Sequence, residues 1–363
     1  MPVREESGGL FPRMVSFLLR KTGRGRPFSL PDSVTGSARM LFIDSGETTD
    51  LLFAAPLVNW FHERFPGIKT TLLVSAGDSE AAKSIMKVNT IITYQSGQMR
   101  LFRTDYYALI RKLRKRYYET AVLLGSSPSF ERDLLAFACG AAARIGFHHQ
   151  LAFPFINCEI RASSGSYAGD RVLRIPDALG LRAGTVSREI SMPASEVNQA
   201  GQLIHFRKPE KDVLTVGVDP GRSKSRHSVI PETIAYLVNS LAGRKRVRFL
   251  VLTDPWDERL VSKLKSELKT DVIDLVPSGQ KETLALLSKC DLFISGNTNL
   301  FHFAAALKVP VIGLFTRYDD ESWVPDHAPN VRIFKGTRGE KLSMQGFFSK
   351  VEEVLHYGES VTV

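Results

Sequence analysis

Three stretches of this sequence place polar side chains where a buried strand would end, and each is suited to chemistry. The first is Ser45-Gly46-Glu47-Thr48-Thr49-Asp50-Leu51-Leu52, entered from the apolar run 40–44 and followed by Pro56. Thr48 or Thr49 can cap the helix that starts here, which puts Asp50 in its first turn. An acid at that position complements the helix dipole, or it acts as a general base held by a rigid strand–loop–helix element. The residues alone leave both readings open.

The second stretch is Val216-Gly217-Val218-Asp219-Pro220-Gly221-Arg222-Ser223-Lys224-Ser225-Arg226. A strand emptying into Pro-Gly, then cations alternating with serines, suits a diphosphate; a basic surface loop is the plain alternative. The third runs from Leu292 to Thr316. Its strand ends in Gly296-Asn297-Thr298-Asn299, turns directly into a small-residue helix, and is followed by another strand. Backbone N–H groups at that helix start would meet a phosphate, with Thr298 and His302 as side-chain donors. His302 fits equally well as a satisfied buried histidine.

Other signatures are missing. No Gly-x-x-x-x-Gly-Lys-Ser/Thr loop and no Gly-x-Gly-x-x-Gly after a strand occurs, which counts against a P-loop NTPase and a typical dinucleotide oxidoreductase. The eight histidines form no ligand spacing, so no metal site is expected. Cys139, Cys158 and Cys290 lie far apart, which suits a reducing, cytoplasmic compartment. No apolar run approaches the roughly 20 residues of a membrane span.

The chain has 363 residues, 48 Lys and Arg against 38 Asp and Glu, and a net charge of +10. That surplus favours an anionic partner. Arg100, Arg103, Arg111, Lys112, Arg114, Lys115 and Arg116 cluster with one acid, Asp105, and with Tyr106, Tyr107, Tyr117 and Tyr118 at the ends of the run. A solvated helix face is the ordinary reading; a glycan-facing or interfacial surface is the other. No nucleic-acid-binding module accompanies the charge.

The elements that position these stretches alternate in type. Apolar runs 40–44, 70–74, 90–93 and 120–124 read as strands, separated by helical patterns over 50–65, 105–116 and 130–142. The alternation lapses between about 150 and 212, then resumes with strands at 214–218, 249–253, 272–275, 292–295 and 311–315. Near-continuous apolar strands between helices mark parallel sheets covered on both faces. The expected fold is α/β, with two doubly wound, Rossmann-like parallel-sheet domains facing a central cleft where ligands bind. The boundaries are an N-terminal basic extension 1–37, a first domain with connector 38–200, a second domain 201–340, and a C-terminal helix and tail 341–363. Within the extension, 11–21 reads as a short basic amphipathic helix, either a docking arm or a peripheral membrane foot.

At this point the sequence resembles glycosyltransferase family nine, the ADP-heptose:lipopolysaccharide heptosyltransferases, over about 39–340. The strongest match is Asn297-Thr298-Asn299-Leu300-Phe301-His302-Phe303-Ala304-Ala305-Ala306-Leu307, against a family pattern near Asp-Thr-Gly-x-x-His-Leu-x-Ala-Ala-Leu. Pro310–Thr316, Asp50–Pro56, Phe65-Pro66, Leu73-Val74, Arg144–Phe147 and Asp219–Gly221 are further landmarks. The resemblance departs at Thr49, where the family has Gly, and at Ser228–Pro231, where it has Lys-x-Trp-Pro. It departs again at Asn297-Thr298-Asn299, where the acid expected to meet the nucleotide's sugar is an amide.

The resemblance implies a GT-B-like architecture with the acceptor on the first domain and the nucleotide sugar on the second. It implies an inverting, metal-independent transfer of a heptose-like sugar to a lipopolysaccharide-core or related surface glycan, with Asp50 as catalytic base. Gly221, Ser223, Lys224, Arg226, Asn297, Thr298, Asn299 and His302 would hold the donor, a nucleotide diphosphate sugar such as ADP-heptose, with no further cofactor. Arg111, Lys112, Arg114, Lys115 and Arg116 would form an acceptor-side basic patch toward an anionic glycolipid at the inner face of the membrane. A sugar-nucleotide epimerase on the same scaffold, or a non-catalytic transferase that binds nucleotide sugar, are the competing expectations.

Overall fold

A computed structural model describes residues 10–22, 27–125, 127–161, 167–181, 186–207, 213–221, 231–253, 257–316, 319–325, 328–335 and 343–361. The chain divides into two compact units, Met1–Arg188 and Glu189–Val363. That division precedes the expected 200/201 boundary because the helix Ala194–Arg207 packs on the helix Gln280–Leu287. A 2.8 Å ion pair between Lys281 and Glu196 joins the two.

The first unit carries β1 (Arg39–Ile43), β2 (Lys69–Ser75), β3 (Thr90–Tyr94), β4 (Thr120–Leu123), β5 (Ala143–Phe147) and β6 (Cys158–Ile160) in one sheet. All pairings are parallel and the order is β3-β2-β1-β4-β5-β6. Successive residues of a strand point to opposite faces, and both faces of β1 are buried. Leu41 and Ile43 pack with Tyr106, Leu109 and Leu113 of the helix Thr104–Arg114 and with Leu135 and Ala136 of the helix Phe130–Ala138. Phe42 turns the other way, its ring 5.9 Å from that of Phe61 on the helix Thr48–Arg64.

The second unit repeats the plan with β7 (Leu214–Asp219), β8 (Val247–Val251), β9 (Leu292–Ser295), β10 (Val311–Phe315) and β11 (Val331–Lys335). The order is β11-β10-β9-β7-β8, again all parallel. Ile234, Leu237, Val238 and Leu241 form one face of the helix Pro231–Ala242 and cover Val216 and Val218. Phe347, Val351 and Val354 of the helix Met344–Val361 join the same core.

Three expectations change. The run 272–275 makes a single bridge, Val272 to Phe249, because Leu275 N–H donates back to Ile273 and turns the chain off the sheet. The helix expected over 130–142 stops at Ala138, where Gly140 at φ +89° breaks it. β5, β6 and β11 are added; β6 lies inside the connector that reads as irregular.

Arg144 fastens β5 to the loop that follows. It is buried, donates to the carbonyl oxygens of Phe155 (2.6 Å), Ala141 (2.8 Å) and Pro154 (3.1 Å), and lies over the Phe137 ring. Burial lowers its pKa. Arg144→Leu leaves these carbonyls without donors in a dry site and should cost about 3 kcal/mol in urea unfolding. A loss under about 0.5 kcal/mol would show that the carbonyls find other donors.

Candidate active site

In a doubly wound sheet, ligands bind beyond the carboxyl ends of the strands, where the strand order reverses. In the first unit that point lies between β1 and β4, and Asp50 is there. It occupies the first turn of the helix Thr48–Arg64 and is half-buried. Gly125, just past β4, faces it: a Cβ built on Gly125 would stand 3.1 Å from the Asp50 carboxylate and would collide with the Ser45 side chain. Only a glycine lets these two strand ends approach so closely. The helix is capped differently from expectation. Glu47 is the N-cap residue, and the Thr48 hydroxyl donates instead to Asp78, at 2.7 Å.

Beneath this loop lies a polar network that the sequence did not reveal. Asp44, the residue after β1, is buried. It accepts from the Tyr94 hydroxyl (2.7 Å) and from Ser75 N–H (2.9 Å). The Arg132 guanidinium lies 4.0 Å from its carboxylate, donates to its backbone carbonyl at 2.8 Å, and donates to the Tyr94 hydroxyl at 3.0 Å. Burial pushes the Asp44 carboxyl up to about 6, against the lowering by its donors and by Arg132; nearby Asp78 adds to the rise. Gly46, at φ +79°, passes so close over Arg132 that any side chain there would strike the guanidinium. In sequence, Asp44 reads only as a strand end and Arg132 as one position of the helical pattern over 130–142.

The second unit has its reversal between β7 and β9. Asp219 ends β7 fully buried. It accepts from the Thr298 hydroxyl (2.6 Å), Gly221 N–H (2.7 Å) and the Ser295 hydroxyl (3.1 Å), with Thr253 a further donor. Burial again raises its pKa to about 6. Gly221 sits tightly here, since a Cβ would lie 2.6 Å from the Asp219 carboxylate.

The structure brings Gly221, Asn297, Thr298, Asn299 and His302 to this end of the sheet. Thr298 caps the helix Asn299–Ala306, accepting from Phe301 N–H while it donates to Asp219. His302 is buried, with Nε2 3.1 Å from the Asn297 side-chain oxygen Oδ1 and its ring beside Trp323. The Asn297 amide nitrogen lies 3.5 Å from Asp319, whose carboxylate accepts from Thr316. Both side chains offered to a phosphate by the sequence therefore make internal bonds here. Asn299, which opens this helix, is half-buried, and Leu300 and Phe301 after it are fully buried. Ser223, Lys224 and Arg226 lie outside the described residues.

The basic patch is displaced from the site. Arg111, Lys112 and Arg114 end the helix Thr104–Arg114 and are exposed, as is Lys115. The next residue, Arg116, accepts at its carbonyl from Arg39, the first residue of β1. This corner is the amino end of the sheet, whereas Asp50 follows its carboxyl end. Arg111–Arg116 therefore cannot hold an acceptor sugar at Asp50. Among the described residues, no group of three or more His, Cys, Asp or Glu is arranged to hold a metal ion.

Residues 106–348 match the family model for glycosyltransferase family 9 (heptosyltransferase). The lipopolysaccharide core heptosyltransferase OpsX of Haemophilus influenzae is 22% identical over 280 residues, 74% of this chain and 76% of that one. Among solved structures, a glycosyl transferase family 9 protein from Veillonella parvula has a TM-score of 0.73 at 14% identity, over 88% of this chain and 97% of its own. The ADP-heptose lipopolysaccharide heptosyltransferase II of E. coli has a TM-score of 0.70 at 16% identity, over 88% and 99%. These likenesses make the fold GT-B-like.

Asp44 yields a pH test. Its pKa in the folded protein lies above the unfolded value. The stability it contributes is therefore complete below about pH 4 and is lost as pH rises through about 6. The stability of wild type minus that of Asp44→Asn should fall between pH 4 and pH 8, by about 3 kcal/mol at most. A difference that stays flat in urea unfolding across that range would show that the carboxyl titrates alike in both states.

Proposed function

Since the chain belongs to glycosyltransferase family 9, the heptosyltransferases, we propose that it moves a heptose from ADP-heptose to a hydroxyl of a lipopolysaccharide-core or related glycan, with inversion and with Asp50 as base. The observation that carries this reading is the Asp50 carboxylate, half-buried at the carboxyl end of the sheet where β1 and β4 part. What the relatives bind supports this donor: one structure is named for ADP-heptose, another holds ADP, and a third an ADP-fluoroheptose.

The chemistry asks for few parts. Asp50 takes the acceptor hydroxyl proton as that oxygen attacks the anomeric carbon, and the bond from that carbon to the diphosphate oxygen breaks on the opposite face. The departing ADP carries the charge. N–H groups opening the helix Asn299–Ala306 meet it, along with Lys224, Arg226 and Ser223, whose role rests on sequence. Thr298 and His302 act by shaping that helix start, through Asp219 and Asn297. Arg132 and Asp44 hold the loop from which Asp50 projects.

Asp50→Asn keeps the shape of the side chain and removes the proton acceptor. Turnover with ADP-heptose and a lipopolysaccharide-core acceptor should fall about 10²- to 10⁴-fold, with ADP affinity nearly unchanged. Retention of more than about a tenth of the rate removes Asp50 from the mechanism. Lys224→Ala with Arg226→Ala should weaken ADP binding by about 2 to 4 kcal/mol in calorimetry; unchanged binding assigns the diphosphate to other groups.

A further inference from the structure

The helix Leu10–Thr22 turns its apolar side the wrong way for a docking arm. Pro12, Val15, Ser16 and Leu19, spaced i, i+3, i+4 and i+7, are its less exposed side, and Ser16 is buried, its hydroxyl bonded to the Phe153 carbonyl. Met14, Phe17 and Leu18 point outward and are each more than half exposed. Their neighbours extend the surface. Phe11 stacks at 5.5 Å on Phe102, which is 82% exposed, and Arg20 lies over the half-exposed ring of Phe153. Arg13, Arg100 and Arg103, each within two residues of one of these rings in sequence, are exposed.

Three chain segments thus converge on one apolar surface edged with cations. A water-soluble partner face would hide such rings; a lipid headgroup layer takes both the rings and the arginines. We infer that this surface is a membrane foot, on which the helix Leu10–Thr22 lies in the interfacial plane of an anionic bilayer. Among the described residues no helix is long and apolar enough to cross a membrane, so the foot lies on the bilayer and does not span it. Its place in the fold gives it a use. Phe102 lies between β3 and the helix Thr104–Arg114, Phe130, which Phe11 also touches, opens the helix after β4, and Phe153 follows β5. Phe102 and Phe130 mark the carboxyl edge of the first sheet, the edge that carries Asp50. The inference stands without the assignment of Asp50 as base; with it, an acceptor borne on lipid meets the base while still in the membrane.

The test is flotation of the full chain with two kinds of vesicle, without donor or acceptor sugar. One is phosphatidylcholine alone; the other has phosphatidylglycerol as about a third of its lipid. The protein should float with the anionic vesicles and far less with the neutral ones. Phe17→Ser with Leu18→Ser should reduce the bound fraction at least about tenfold. Arg13→Glu with Arg100→Glu should abolish the preference for anionic lipid. The melting temperature of the Phe17/Leu18 variant should equal that of wild type. Equal flotation of wild type and variants overturns the inference. So does a lowered melting temperature, which would mean that these side chains pack on the chain's own body. A wild-type dimer that becomes a monomer in the variant on light scattering overturns it too, because the surface would then belong to a second copy.

Discussion

Asp44 and Asp219 are held away from water at corresponding places, each where the first strand of its unit runs out. Taking a carboxylate out of water costs several kcal/mol unless donors replace the lost hydration, and that requirement organises both strand ends. Around Asp44 the donors come from β2, from β3 and from the helix after β4. Around Asp219 they come from the loops after β7 and β8 and from the segment after β9. Each carboxylate therefore ties together elements far apart in sequence. The loops at the crevice are fastened from below and cannot drift without leaving a buried charge unpaired.

This arrangement divides the work between layers. The lower layer is internally satisfied: Thr298 donates to Asp219 and caps a helix, and His302 bonds Asn297. In the proposed mechanism the reacting groups are Asp50 in the first unit and the helix-start N–H groups in the second. The same logic accounts for the amide at position 297. Its nitrogen approaches the half-buried Asp319 carboxylate, and an aspartate at 297 would set a buried charge beside a like one. Asn297 and Asp319 form a complementary pair, so the departure from the family's acid has a local electrostatic reason.

The basic surplus of the first unit separates by position. Arg111–Arg116 belong to the amino end of the sheet, and Arg100 and Arg103 to the carboxyl end. In sequence they form one run, because the helix between them spans the sheet from end to end. A charge count cannot tell the two ends apart.

Much of the fold was legible in the chain. Runs such as 41–43 and 292–295 are apolar because both sheet faces are covered, and Ile234, Leu237, Val238 and Leu241 announce a helix by period alone. Asp50, the Pro220-Gly221 turn and the 297–302 segment stood out because strand ends in such sheets are where polar residues are tolerated. Short edge strands escaped notice: β6 has three residues, too few for a pattern, and β11 follows no strong helix signal. The run 272–275 misled because apolar alternation marks burial, and Ile273 is buried without a second strand to pair. Asp44, Tyr94 and Arg132 were out of reach for a different reason. A buried charge is recognised by its partners, and these three stand on separate elements that only the folded sheet brings together. The direction of the helix Leu10–Thr22 was likewise decided by tertiary structure: its sequence sets which residues share a side, and only packing selects the side that faces the body.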